Sequence, residues 1–262
     1  SRGPQYVRGI QEGNGTPNDS DLWVSYSMNK EDIWVAHIPV PVRTEATAQA
    51  NDDFSQCKSL EDLRTWNLYS PKMAPVSLEG KWLKLSDEDP FDYAVAERKV
   101  PASGLLNVQF DVNPAQNRNG LLQIEFKDEK GTACTRIEFT HDGFIRVKNG
   151  ARYGNVMSYE PDKTYHFDAT LDAANRKLTL YVNGKRTERI FFAPVHKIER
   201  IMFRTGAQRT FPTIDTPADW YGILPNTGDT DTLAVYRIAN FKTQNLADDA
   251  GAAVLSSADY KH

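Results

Sequence analysis

The sequence predicts an all-β protein built as an antiparallel jelly-roll β-sandwich, and three observations carry that prediction. Between Leu105 and Gly184 apolar and polar residues alternate through one segment after another, the period of strands with one face in a core and the other in water. Joints of Asn, Asp and Gly separate these segments at intervals of about ten residues, a spacing typical of sandwiches. The run Lys177-Leu-Thr-Leu-Tyr-Val-Asn-Gly184 ends in Asn-Gly, which suits the positive φ values of a two-residue hairpin turn.

Taken in order, residues 1–42 hold three strand-like pieces: Gln5 to Ile10, Asp21 to Ser27, and Asp32 to Val40. Three strands cannot close a core, so Trp23, Val24, Trp34 and Val35 require a partner surface. Pro39-Val-Pro41 and the polar residues after it have linker texture, placing a linker at 43–52. The sandwich then occupies 53–244. Leu60 to Trp66 reads as a short helical turn, Lys81 to Leu85 as a strand, and Asp87 to Phe91 as a turn. The alternating strands put Leu106, Val108, Phe110 and Val112 on one face against Asn107, Gln109 and Asp111. Leu122, Ile124 and Phe126 oppose Gln123, Glu125 and Lys127, and Leu178, Leu180 and Val182 oppose Thr179 and Tyr181. Ile198 to Phe203 and Ala234 to Phe241 supply two more strands, joined by a long loop over 204–232 rich in Pro, Gly, Asp and aromatics. Loops of that length in compact domains are commonly functional. Residues 245–262 read as a polar tail.

The chain has 262 residues, and its 35 carboxylates against 31 basic side chains leave no polycationic face for nucleic acid. No apolar run reaches the roughly 20 residues of a membrane span. The start at Ser1, without initiator Met or signal peptide, reads as the product of a cut in a longer precursor. Cys57 and Cys134 fit either one disulfide or two free thiols, and neither sits in a zinc-binding spacing. Asn14-Gly-Thr16 and Asn18-Asp-Ser20 match the glycosylation sequon.

Two stretches carry a family resemblance. Trp23-Val-Ser-Tyr-Ser-Met-Asn-Lys-Glu-Asp-Ile-Trp34 with His37-Ile-Pro-Val-Pro41 resembles the last strands of a BNR-type β-propeller from secreted polysaccharide-degrading proteins of Bacteroidetes-like bacteria. Leu83-Lys-Leu-Ser-Asp-Glu-Asp-Pro-Phe-Asp-Tyr-Ala94, with the Leu178 to Gly184 run, resembles the concanavalin A-like (laminin G-like) sandwich that follows such propellers. The resemblance implies a secreted, periplasmic or cell-surface setting, a polysaccharide or oligosaccharide partner, and contact with the rest of a parent propeller. It implies a parent glycoside hydrolase or polysaccharide lyase, no required cofactor, and a structural calcium to which Asp52 and Asp53 would contribute as hard oxygen ligands. Most of the propeller is missing from this chain, and with it the several blades that line a propeller's pocket.

Motifs for nucleophilic or metal chemistry are absent from the sequence: there is no Gly-x-Ser-x-Gly, His-Glu-x-x-His, phosphate-binding glycine loop or EF-hand. His141 reads as a turn residue and His166 as a strand residue of the polar face. Sugar cleavage commonly uses two carboxylates, about 5 or 6.5–9.5 Å apart, and Glu125 and Glu138 suit neighbouring strands. Lys127, Arg136, Arg146 and Lys148 share their face, so cross-strand ion pairs account for the same residues. Sugar binding needs an exposed ring for stacking and planar hydrogen-bonding groups, with Arg added for an acidic sugar. Trp220 and Tyr221 near Arg204 and Arg209 meet that need, as does Arg152 beside Tyr153; loop anchoring explains Trp220 and Tyr221 equally well. Trp23, Trp34, Trp66 and Trp82 lie in apolar texture and are expected in the core. The expected function is an accessory carbohydrate-binding or structural region of a secreted polysaccharide-degrading enzyme. The alternative is part of an active hydrolase or lyase acting on an acidic plant or algal glycan.

Overall fold

The computed structural model describes residues 4–10, 22–28, 32–38, 46–90, 92–206 and 230–246, which fall into two units. In the first, strands β1 (Pro4–Ile10), β2 (Leu22–Met28) and β3 (Asp32–Ile38) form an antiparallel meander in that order. Trp23 pairs with His37 across β2 and β3, and their rings stack at 4.3 Å. Ile33 and Val35, two apart on β3 and so on one face, are exposed, Ile33 to 85%.

The second unit is a sandwich of two antiparallel sheets. Its strands are β4 (Asn51–Asp52), β5 (Trp66–Tyr69), β6 (Val76–Glu79), β7 (Trp82–Asp87), β8 (Val95–Ser103), β9 (Leu105–Pro114), β10 (Leu122–Lys127), β11 (Ala133–Phe139), β12 (Phe144–Asn149), β13 (Arg152–Ser158), β14 (Tyr165–Asp172), β15 (Lys177–Val182), β16 (Lys185–Ile190), β17 (Ile198–Thr205) and β18 (Ala234–Asn245). One sheet runs β13-β12-β11-β10-β17-β8-β5; the other runs β16-β15-β14-β9-β18-β7-β6, with β4 added beside β18. The jelly-roll reading of the alternation is therefore correct, and every strand whose faces were assigned from periodicity buries the apolar one.

Between the sheets the core is dominated by aromatic rings. Phe110 stacks on Phe167 at 5.0 Å and meets Phe203 edge-on at 5.2 Å, while Trp66 packs against Phe54 and Phe241. Full burial of each such side chain stabilises the fold by about 1.5–3 kcal/mol. One charged pair enters this interior. Arg98 of β8 faces inward, and both oxygens of Asp52 accept from its guanidinium at 2.7 and 3.2 Å, while Trp66 Nε1 donates to the same carboxylate at 2.9 Å.

Several elements differ from the sequence reading. Strands β5, β6, β8, β13 and β16 escape the periodicity: Arg98 sits on the apolar side of β8, and β16 is polar apart from its last residue, Ile190. The helical turn is confined to Leu60–Asp62, and the chain is extended again at Trp66. Residues 49–52 belong to the sandwich rather than to a linker. Ala50 is buried and donates to Thr243 Oγ1 at 2.9 Å, Thr243 N donates back to Ala50 O at 3.0 Å, and Thr243 Oγ1 donates to Gln49 at 2.7 Å. Cys57 and Cys134 are free thiols, which removes the disulfide alternative.

β18 also carries a bulge. Ala239 faces Asp111 but Lys242 faces Gln109, so one extra residue stands on β18. Asn240 takes it up at φ 53° and donates to Asp111 Oδ2 at 2.6 Å. Tyr236 and Ile238 before the bulge, and Phe241 and Thr243 after it, are all buried as a result.

Candidate functional site

The outer face of the seven-stranded sheet carries a continuous polar lattice. Register places Arg146 opposite Glu138, Glu138 opposite Gln123, and Gln123 opposite Arg204, a row across β12, β11, β10 and β17. In the next row Glu125 stands opposite Arg136, and Lys148 opposite Tyr153. Side chains of alternating charge on neighbouring strands are within direct reach of one another.

Tyr153 ties the two rows together. Its hydroxyl donates to Glu138 Oε1 at 2.8 Å and accepts from Arg136 Nη1 at 3.1 Å. Arg136 Nε donates to Glu125 at 2.7 Å, and Lys127 reaches the same carboxylate at 3.4 Å. Glu138 also accepts from Arg146 Nε at 2.6 Å and from Gln123 Nε2 at 2.9 Å. Gln123 in turn accepts from Arg204 Nη1 at 3.2 Å. Ring contacts complete the lattice, with the Arg146 guanidinium 4.4 Å and the Lys148 ammonium 4.9 Å from the Tyr153 centroid, and Arg204 3.9 Å from that of Tyr93. Burial raises the Tyr153 phenol above its usual range despite the Arg136 bond, and burial lowers the Arg204 guanidinium.

Glu125 and Glu138 are both engaged in this lattice. Each carboxylate accepts from two or more cationic, amide or phenolic donors, and Glu138 is 2% exposed. That is the arrangement of a charge lattice, in which both carboxylates are occupied by protein donors. What faces solvent is the cationic side: Arg146 is 37% exposed and lies against the ring of Tyr153. A guanidinium fork matches a carboxylate, and an aromatic ring offers an apolar face for stacking.

The other sequence candidates are placed as follows. Tyr153 joins the lattice, but Arg152 is its strand neighbour and points to the opposite face. Arg204 is buried and positions Gln123 and Tyr93. Arg209, Trp220 and Tyr221 lie outside the described residues, as do both sequons. His166 Nδ1 lies 2.7 Å from Asp111 on the other sheet. Trp66 is in the core as expected, whereas Trp82 is half-exposed and shares the outer side of β7 with Lys84. Gln123 and Tyr93 were not anticipated: register between β10 and β17 brings Gln123 to Arg204, and Tyr93 meets the same guanidinium from the segment before β8.

Asp52 and Asp53, the expected calcium ligands, each meet protein donors. Asp52 is taken by Arg98 and Trp66, and Asp53 Oδ1 accepts from the Ser55 N–H at 3.0 Å to cap a short turn. Among the described residues no three His, Cys, Asp or Glu side chains converge as a metal set. A separate acidic cleft is lined by Asp87, Asp89, Asp92, His141 and Asp231. Its carboxylates are held by local N–H donors, Asp89 N to Asp87 at 3.0 Å and Asp92 N to Asp89 at 2.7 Å. Burial pushes the Asp87 carboxyl up to about 6.

Comparison with known proteins supplies the context. None of the curated proteins is a significant match. A solved sialidase structure is 59% identical with a TM-score of 0.89, covering 95% of this chain and 23% of that chain. This chain therefore spans about a quarter of that sialidase. A Bacillus licheniformis β-glucanase matches at 13% identity and TM-score 0.51, covering 77% of this chain and 99% of that one. A structure described with endo-acting O-glycanases of the human gut microbiota matches at 14% and 0.53, covering 75% and 98%. These two show a shared sandwich fold and nothing finer. The family model described as "Sialidase-like, CBM domain" matches residues 66–220, more than half of the sequence, and the chain belongs to that family of sialidase-like carbohydrate-binding domains.

Proposed function

We propose that this chain is the glycan-binding region of a secreted glycan-degrading protein, and that the outer face of the seven-stranded sheet receives an acidic sugar. The observation that carries this reading is the partly exposed Arg146 guanidinium, hydrogen-bonded to Glu138 and 4.4 Å from the centre of the Tyr153 ring. A guanidinium fixed in place loses little conformational freedom on meeting a carboxylate. Trp220, Tyr221 and Arg209 extend the same proposal to the long loop. Bond cleavage we assign to other parts of the longer protein, because Glu125 and Glu138 are spent on the lattice. We take the β1–β3 sheet as terminal strands of a BNR-type propeller; its exposed Ile33 and Val35 suit burial against further β-structure.

The test is direct titration with acidic and neutral oligosaccharides. Arg146→Ala removes a charge-assisted contact of about 1.5–3 kcal/mol, so affinity for the acidic ligand falls tenfold or more. Unchanged affinity in a folded variant sinks the assignment to this face. No binding to any glycan by the wild-type chain sinks the glycan reading itself.

A further inference from the structure

The outer face of the eight-stranded sheet has a different chemistry, and nothing above uses it. Register aligns one row across six strands: Asn51 on β4, Lys242 on β18, Gln109 on β9, Asp168 on β14, Tyr181 on β15 and Arg186 on β16. At about 4.8 Å per strand this row is about 24 Å wide. The adjoining row holds Gln244, Asn107, Thr170, Thr179 and Glu188. Beneath Lys242 and Gln109 the surface dips into a shallow groove of about 320 Å³, lined by Gln49, Asn51, Asn107, Gln109, Lys242 and Gln244 among others.

We infer that this face is a second glycan-contact surface, on which Tyr181 stacks against a sugar ring and the amide groove beside it bonds the hydroxyls of a neutral oligosaccharide. The inference rests on the glycan-binding reading above and adds a second face with a different sugar preference.

Three features favour that occupant. Tyr181 is 39% exposed and stands in the row between Asp168 and Arg186, the one aromatic ring among polar side chains. The groove offers amides, which present donor and acceptor together and so match a hydroxyl in either role. Asn107 Nδ2 is already oriented by Asp168 at 2.6 Å and Thr170 at 3.2 Å, and Gln109 by Asp168 at 3.4 Å. Charge is largely cancelled within the surface, as Glu188 pairs with Lys177 at 2.7 Å and with Arg186, and Asp111 with His166. An acidic sugar finds no cluster of guanidinium groups here, unlike the opposite face. A protein partner is a poor fit, because stable interfaces need an apolar centre, and the outward residues of the two rows are polar apart from Tyr181.

The experiment uses the full chain and two variants, Tyr181→Ala and Lys242→Ala. Each is titrated by calorimetry with neutral hexose and N-acetylhexosamine tetrasaccharides, and with the same tetrasaccharides carrying a terminal carboxylated sugar. Both side chains are exposed, so unfolding midpoints should match wild type and exclude a folding defect. The expected result is neutral tetrasaccharide binding that Tyr181→Ala weakens at least tenfold and Lys242→Ala weakens several-fold. Glycan binding that both variants retain in full, or binding confined to the carboxylated ligands, overturns the second surface and leaves the first intact. A wild-type chain that binds none of the ligands overturns both.

Discussion

At the scale of single residues, the half-buried Asp52 and the buried Asp87 behave in opposite ways. Asp52 is neutralised by Arg98 inside the sandwich. Removing one partner of a buried pair leaves the other charge unsolvated, at a cost of about 3–5 kcal/mol. Asp52→Asn should therefore lower the unfolding free energy from urea denaturation by roughly that amount, and a loss below about 1 kcal/mol would show that Arg98 finds another partner. Asp87 lies on the other side of that balance, because burial, with the charges of Asp89 and Asp92, raises its carboxyl to about 6. A folded value above the unfolded one means that the native state binds the proton more tightly. Its stabilising contribution is complete below about pH 4 and is lost as pH rises through about 6. Asp87→Asn removes this dependence. Its stability relative to wild type should rise by about 1–3 kcal/mol between pH 4 and 7, and a difference that stays flat with pH would refute the account.

At the scale of elements, the bulge in β18 decides which side chains reach the core and which reach the groove. Asn240 holds a positive φ that β-branched residues rarely adopt. Asn240→Val should cost about 1–2 kcal/mol, whereas Asn240→Gly should keep the bulge and stay close to wild type. Thermal unfolding of both variants checks this, and equal midpoints would mean that the bulge is set elsewhere. The bulge also marks where sequence reading runs out. Leu106 to Val112 and Leu178 to Val182 keep strict alternation and are legible as strands with assigned faces. β18 changes phase midway, so Lys242 and Gln244 cannot be placed without its partner β9. β8 hides for a related reason: Arg98 stands on its core side, and the Asp52 that permits it is 46 residues away in sequence. The site was legible in part. The acidic and basic residues of β10 to β12 announce cross-strand pairs, but the hydrogen bonds of Tyr153 depend on how β13 aligns with β12.

At the scale of the whole molecule, the sandwich encloses one thiol completely. Cys134 is fully buried, and burial pushes its pKa up to about 12, whereas Cys57 is only partly covered. The thiolate is the reactive form, so Cys134 should react with a thiol reagent only after global opening. Titration of the native protein should consume about one equivalent, from Cys57, with the second appearing along the unfolding curve. Rapid native reaction of both would mean that the β11 region opens locally.

The hydrogen bonds that join Ala50 to Thr243 bring the two ends of the sandwich side by side. A module whose entrance and exit are adjacent behaves as a cassette: it can be grafted into a loop of another protein, or re-cut with new termini, without tearing its sheets. Whatever such a unit binds is then portable with it, and it can be joined to a different neighbouring domain with little rearrangement at the seam.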